Sequence, residues 1–459
     1  MFLDLDQKDR SRTAAIDDSG RSVTYGEICD FAKVFAEQLP HRSLIFILSE
    51  NRIGSLLGYT AALSNRVVPL ILSAATEEGL YQTLYEKYQP EYLWMSKKKA
   101  EERGLKTQFE AWEFCLVKTG NRPAELFDDL SLLLPTSGST GSPKLVRHSY
   151  RNIEANADNV RRLFKLDGSE KAMAILPMHY TMGLSVIASH LLAGSTLLLS
   201  ARSLLDKGFW DMLKEATSFT GVPYSYEILT KVRFTCMELR NLKVTTQGGG
   251  KLTEAMWNTL AQYAKEKGKQ FIATYGQSEC TARMAYLPPE LALEKVCSIG
   301  VAEPGGRLSI VDDNGNETFE GEAQGEMVYR GENVTLGYAT CREDLMKGDE
   351  NLGVMHTGDL ARRDADGCYY IVGRLKRFLK IFGLRIGLDE VEQMIKAEFK
   401  TDCYCKGNDE KLIVLITNPQ LQGQIPLYIE EKTHLFHKNI EVQIVKEILR
   451  NEAGKVINQ

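Results

Sequence analysis

The sequence predicts an α/β protein. A large N-terminal doubly wound α/β domain with a small β subdomain should be followed by a small, mobile α+β C-terminal domain. Three observations carry this expectation. Short apolar runs alternate with helical patterns from Ala14 to Gly276, the signature of strands crossing over through helices. After Ser298 the texture turns to short strands divided by Asn-Gly and Asp-Gly pairs, which read as hairpins. Beyond Arg374 come a basic stretch, one more amphipathic helix and another strand. With 459 residues the chain is too long for one small core.

Taken in order, AAIDDSGRSVT reads as a strand pair turning at Ser19-Gly20, and Thr24 is a helix cap for YGEICDFAKVFAEQL. SLIFILSE is a buried strand, GSLLGYTAALS a helix and VVPLIL the next strand. EYLWM, FCLVK, KAMAILP, STLLLS, SFTGVP, LKVTTQ and QFIATYG continue the series. Ala172 to Ala201 carries no Asp, Glu, Lys or Arg and has the look of a membrane span. Its Pro177, Gly183 and Gly194 break it into strand, turn, helix, turn and strand, so buried core is expected. GRLSIVDDNGNE, GEMVYRG and GCYYIVGR form the β subdomain. LDEVEQMIKAEF, apolar at Leu388, Val391, Ile395 and Phe399, is a helix, and KLIVLIT a strand. The main boundary is expected between residues 374 and 375, giving domains 1–374 and 375–459.

The formal net charge is −5 and charged residues make up 25%, which argues against nucleic acid as a partner. Nine cysteines include no C-x-x-C pair, so a zinc site is not expected and a reducing cytoplasm is. No secretory signal opens the chain, and no membrane span is expected.

The most informative stretch is LLLPTSGSTGSPKLVRHS. Seven small or hydroxylated residues, Thr136 to Ser142, precede Pro143 and Lys144. A plain linker is one reading. A phosphate cradle is the other: glycines admit backbone N–H groups close to an anion, hydroxyls donate, and a lysine adds charge. The spacing is not that of a Walker loop. Elsewhere, YGQSEC lacks the closing glycine of a nucleophile elbow, GGGKLT lacks the upstream glycine of a Walker loop, and DDNGNE and DADG are turns rather than calcium loops. His434 and His437 read as surface residues.

Four further motifs follow the loop in order: ATYGQSECT, HTGDL with Asp359 in a turn, GRLKRFLKIFGLRI, and NEAGKVI with Lys455. Together with TSGSTGSPK they resemble the adenylate-forming superfamily of acyl-CoA synthetases, carrier-protein adenylation domains and luciferases, from about Val23 to Lys455. The resemblance implies an ATP- and Mg²⁺-dependent ligase. It would activate a small carboxylic acid as an acyl-adenylate and pass the acyl group to a thiol, most simply that of coenzyme A. A phosphopantetheinyl carrier protein as acceptor and a non-catalytic nucleotide sensor are the alternatives.

Residue by residue, the resemblance implies that Thr136, Ser137, Gly138, Ser139, Thr140, Gly141 and Lys144 close over the ATP phosphates. It makes Gly248, Gly249 and Gly250 the wall between adenine and acyl pockets. Tyr275, with Gly276 and Gln277 after it, would stack on adenine, Ser278 contact the α-phosphate, and Glu279 with Thr140 serve Mg²⁺. Asp359 would accept from the ribose hydroxyls, backed by Arg374. Lys455 would assist adenylation, Lys376 would be the hinge, and Gly383 would enter the site for thioester formation. His179, Tyr180, Met182, Gly183, Val222 and Tyr224 are the acyl-pocket candidates.

The sequence departs from the family pattern in LPMHYTMGLS. His179 comes one position early and Tyr180 stands where a gating histidine is common, so a core role for His179 weighs equally with a direct one. No acid occurs between Lys171 and Ala201, which disfavours an ordinary α-amino acid substrate. Leu145 replaces a usual glycine. The short C-terminal segment without a fused carrier suggests a stand-alone ligase.

Overall fold

The computed structural model describes residues 1–135, 144–375, 377–381, 384–408, 410–450 and 456. Thr136, Ser137, Gly138, Ser139, Thr140, Gly141, Lys376, Gly383 and Lys455 lie outside the described residues.

The alternating strands divide between two large sheets. In the first, six strands run parallel in the order Gln270–Tyr275, Val244–Gln247, Ser218–Gly221, Lys171–Ala174, Thr196–Leu199 and Thr13–Asp17. Antiparallel edge strands close it on both sides. In the second, Leu130–Pro135, Val68–Ser73, Leu44–Ser49 and Tyr92–Ser96 are parallel neighbours. Leu145–Ser149 pairs antiparallel with Leu130–Pro135, and Gly337–Ala339 with Leu145–Ser149. Apolar runs announce strands buried on both faces but not which strand lies beside which. The sequence therefore yields the alternation and not the partition into two sheets.

A shared helical layer joins the sheets. Helix Ile53–Ser64 is buried from Ile53 through Leu63. Helix Thr181–Leu192 is buried from Gly183 through Leu191. One core cluster takes Ile45, Ile71 and Leu132 from the second sheet and Ala15, Ala172 and Leu197 from the first. A helix covered on all sides must be apolar on all sides, which explains the charge-free run from Ala172 to Ala201. Toward the surface, helix Tyr25–Glu37 begins with a capping box: the Thr24 hydroxyl accepts from the Glu27 N–H while Glu27 accepts from the Thr24 N–H.

The β subdomain is a five-stranded antiparallel sheet in the order Glu317–Thr318, Gly306–Val311, Ala323–Gly331, Val354–Arg363 and Tyr369–Arg374. Asp359, expected in a turn, lies instead inside strand Val354–Arg363. Glu326 pairs with Leu360 and Val328 with His356, so Met327 alone opposes Thr357, Gly358 and Asp359. The turn-like sequence is a bulge, with Gly358 at a φ of 68°. Bulges re-aim side chains, and this one aims Asp359 at the site described below.

A small C-terminal domain follows. Strands Cys403–Gly407, Leu412–Ile416 and Ile440–Ile444 form one sheet, and Phe378–Ile381 pairs with Leu384–Gly387. Its own core gathers Val391, Ile395, Val414 and Ile429 around helices Leu388–Phe399 and Gln424–Thr433. Among the described residues, no helix is long and apolar enough to cross a membrane.

Candidate active site

Four neighbouring parallel strands of the first sheet end at one edge. Lys171–Ala174 leads into His179–Met182, Ser218–Gly221 into Val222, Val244–Gln247 into Gly248–Gly250, and Gln270–Tyr275 into Gly276–Glu279. Loops at the carboxyl ends of parallel strands are where open α/β sheets bind ligands. Most of the candidate residues are thereby gathered from a span of 100 residues into one place.

On one side of this edge the glycines are covered by apolar side chains. A Cβ added to Gly248 would stand 2.5 Å from Met182 Cε and 2.8 Å from Thr274 Oγ1. One on Gly249, whose φ is 77°, would stand 3.2 Å from Val222 Cγ1. Met182 and Val222 thus bracket the glycine stretch. The His179 and Tyr180 rings, both half-buried, lie 4.4 Å apart at 45°. Beside them the Thr181 and Ser278 hydroxyls are 3.4 Å apart. Two acyl-pocket candidates sit differently. Tyr224 is 54% exposed on helix Pro223–Lys231. Gly183 is buried where a Cβ would meet the Pro177 carbonyl oxygen at 2.3 Å, so its bareness lets the helix lie against its own leading loop.

On the other side the bulge brings Asp359 to the end of strand Gln270–Tyr275. The residue is buried, and its carboxylate accepts from three donors. Arg374, its partner in register, donates Nε to Oδ1 at 3.0 Å. Gln277 Nε2 donates to Oδ2 at 2.9 Å and also reaches the Thr357 carbonyl at 3.0 Å. The Tyr275 hydroxyl donates to the same Oδ2. Burial and the adjoining Asp359 charge push the Tyr275 phenol well above its ordinary range, so it remains a donor.

Glu279 faces a third element. Its Oε1 accepts from the Tyr338 hydroxyl at 2.7 Å. Its main-chain carbonyl accepts from both the N–H and the hydroxyl of Thr335, each at 3.0 Å. Asn333 Nδ2 donates to the carbonyls of Cys280 and Arg283 at 2.9 Å each. The segment 333–338 therefore holds the turn that carries Glu279. Lys144, the described end of the glycine-rich loop, places its ammonium 5.4 Å from the Tyr338 ring centre, within cation–π range.

Tyr338 is held from behind by Arg147, whose side chain is fully buried. Its guanidinium donates to the carbonyls of Leu336, Tyr338, Gly348 and Lys347 and to Glu350. Burial lowers its pKa and the Glu350 carboxylate opposes that shift. Nearby His148 is completely buried, and burial pushes its imidazole down to about 4.

Tyr338, Thr335, Thr181 and Arg147 were not picked out by the sequence. Tyr338 belongs to a three-residue edge strand paired with a strand almost 200 residues earlier, and nothing in its immediate neighbourhood flags it. A buried arginine has no local signature either.

The family of AMP-binding enzymes matches residues 4–339. The chain belongs to the AMP-binding enzyme family. Among relatives of this AMP-binding enzyme, a probable CoA ligase of Humulus lupulus is 31% identical over 278 residues, 58% of this chain and 51% of its own. An oxalate–CoA ligase of Arabidopsis thaliana is 30% identical over 275 residues, 58% of this chain and 52% of its own. The matched segment thus spans about half the length of each relative. Among solved structures, the o-succinylbenzoate CoA synthetase of Bacillus subtilis in complex with ATP and magnesium ion superposes with a TM-score of 0.78. It is 22% identical, with 97% of this chain and 95% of that one covered. MatB of Rhodopseudomonas palustris bound to ATP gives a TM-score of 0.79 at 20% identity, covering 99% and 96%. The fold of this AMP-binding enzyme is theirs, down to the large N-terminal and small C-terminal domains.

The residues present also fit Mg²⁺, the ion bound with ATP in the Bacillus subtilis structure. Mg²⁺ binds through one or two carboxylates together with substrate phosphates. Glu279 offers a hard oxygen ligand at the half-buried lip of the site, beside the strand into which the glycine-rich loop runs.

Proposed function

We propose that this AMP-binding enzyme is an ATP-dependent acid–thiol ligase that makes an acyl-adenylate and then an acyl thioester, with coenzyme A as the acceptor. The observation that carries the reading is the convergence of Tyr275, Gln277 and Arg374 on the buried carboxylate of Asp359 at the strand ends. A carboxylate placed beside an aromatic ring is equipped to take a ribose while the ring covers the base. The relatives named as CoA ligases support the same reaction class.

In this reading Tyr275 stacks on adenine, Asp359 accepts from the ribose hydroxyls, and Ser278 donates to the α-phosphate. The loop from Thr136 to Lys144, with Ser137, Gly138, Ser139, Thr140 and Gly141, wraps the outer phosphates. Bound Mg²⁺ supplies charge neutralisation on those phosphates, with Glu279 and Thr140 as its protein ligands. The acid occupies the space bordered by Met182, Val222, Gly248 and Gly249, with His179 and Tyr180 at its side. The carboxylate oxygen bonds the α-phosphorus as the bond to pyrophosphate breaks, and Lys455 stabilises the charge that develops. Residues 375–459 form the lid, turning at Lys376 and bringing Gly383 to the site. The thiol sulfur then bonds the carbonyl carbon as AMP leaves. The cysteines, all free thiols in the structure, are consistent with a cytoplasmic enzyme.

The test is pyrophosphate release from ATP and Mg²⁺ with a panel of carboxylic acids, each run with coenzyme A, with a carrier protein, and with neither. Release for one acid class, abolished in Lys455→Ala, is expected, with turnover on coenzyme A. Turnover only on the carrier moves the acceptor to a carrier protein. ATP binding without release for any acid overturns the ligase reading in favour of a nucleotide sensor.

A further inference from the structure

Tyr338 touches two groups that the proposed chemistry uses, from a strand that otherwise contributes nothing to the site. Its hydroxyl donates to Glu279 Oε1 at 2.7 Å, and its ring lies 5.4 Å from the Lys144 ammonium. The placement is built rather than incidental. Tyr338 pairs with Val146, two residues beyond Lys144, so the strand leaving the glycine-rich loop fixes its height. Gly337 precedes it at a φ of 113°, where a Cβ would stand 2.8 Å from Glu350 Oε2 and 3.2 Å from Arg147 Nη2. That conformation is open to glycine and strained for other residues. Arg147 Nε holds the Tyr338 carbonyl at 3.1 Å. Thr335, three residues earlier, holds the Glu279 carbonyl through two bonds. The backbone of Glu279 and one of its carboxylate oxygens are thus both fixed by the same short segment.

We propose that Tyr338 is a positioning residue that orients the Glu279 carboxylate to receive Mg²⁺ with ATP. This rests on the adenylation reading above and assigns Tyr338 no contact with the reacting atoms. A carboxylate with one oxygen held keeps its other oxygen aimed, so less ordering remains to be done when the ion arrives. Partners that orient a metal's ligands typically matter by about 10- to 100-fold in metal affinity. The ring serves a second purpose at the same place: it gives the Lys144 ammonium an apolar face beside Glu279.

The experiment titrates a non-hydrolysable ATP analogue into the full chain by calorimetry across a range of Mg²⁺ concentrations. Wild type, Tyr338→Phe, Glu279→Gln and the double variant are compared, and each is first melted without ligand. Tyr338→Phe is expected to raise the Mg²⁺ concentration for half-maximal tight binding by about 10-fold or more. Its affinity for the metal-free analogue should stay within about twofold. In the Glu279→Gln background the same change should have no further effect, because the group it acts through is gone. An unchanged Mg²⁺ requirement overturns the assignment, as does an equal effect in both backgrounds. A Tyr338→Phe protein unfolded at the assay temperature also overturns it, since the hydroxyl would then serve folding. Wild-type protein that binds no analogue, or binds it without regard to Mg²⁺, overturns the adenylation reading instead.

Discussion

Replacing Asp359 by Asn keeps the shape of the side chain and removes its charge, and the structure says how the loss should divide. A carboxylate offers about four lone-pair sites. Three are taken here: Arg374 at Oδ1, and Tyr275 and Gln277 at Oδ2. Two ribose hydroxyls need two sites, so one present donor must step aside. Arg374 is the one that can, because its side chain is 57% exposed while the carboxylate is 5% exposed. In Asp359→Asn the remaining oxygen can face Tyr275 and Gln277, and the amide nitrogen then faces Arg374, which turns to water. The folded protein should lose only about 1–2 kcal/mol, the value of one or two ordinary hydrogen bonds. Nucleotide binding should lose more. The oxygen that meets the ribose has become a donor, and each charge-assisted bond is worth about 1.5–3 kcal/mol. With the amide N–H able to donate back to a ribose oxygen, the net loss should be about 2–4 kcal/mol, roughly 30- to 1000-fold in Kd. Calorimetry with an ATP analogue and its 2′,3′-dideoxy counterpart reads this directly: the penalty should be large for the first and nearly absent for the second. Equal penalties on both, or affinity within twofold of wild type, would refute the placing of ribose on Asp359.

Two other outcomes follow from buried groups. His148 and His190 are both fully buried, and burial holds each imidazole near 4, against about 6.5 in the unfolded chain. With folded values depressed, the stability they contribute is present above about pH 6.5 and falls as pH drops toward 4. Each should cost about 2 kcal/mol by pH 5, so urea midpoints should fall between pH 7.5 and 5 and fall less in His148→Asn. Arg147→Met removes a buried cation that serves four carbonyls and Glu350. A loss of about 3–5 kcal/mol in denaturant unfolding is expected, with amide exchange accelerated first in residues 336–350.

Where the sequence was legible, it was because a local rule was enforced locally. Thr24 caps its helix three residues ahead of Glu27, and the charge-free run from Ala172 is the strand–helix–strand of the interior. The strand-end residues Tyr275 to Glu279 and Gly248 to Gly250 are singled out only by family resemblance, and the structure sets the two strand ends side by side. Asp359 is singled out by the same route, but its bulge reads as a turn, since Thr-Gly-Asp has the same composition in either. What stayed hidden depends on distant partners. Arg147 looks like any strand arginine until Leu336, Tyr338 and Glu350 arrive around it. Arg283 and Glu303, both buried and 20 residues apart, carry no sign of burial in their surroundings. Tyr338 has meaning only beside Glu279, which is carried on a turn leaving a strand of the other large sheet.

The pairing of strand Thr13–Asp17 with Thr196–Leu199, Ala15 opposite Leu197, also sets a timetable for biosynthesis. The first strand leaves the ribosome long before its parallel neighbour exists. At roughly 5–20 residues per second, the delay is on the order of 10–40 s. For that interval Ala14 and Ala15 lack the strand that later lies beside them, whereas helix Tyr25–Glu37 can already set Phe31 and Phe35 against Trp94. The second sheet faces a shorter wait, because Leu44–Ser49, Val68–Ser73 and Tyr92–Ser96 emerge in close succession. The nascent chain is therefore expected to assemble that sheet first, with helix Tyr25–Glu37 upon it, and to leave the strand Thr13–Asp17 without its parallel neighbour until the middle of the protein has been made.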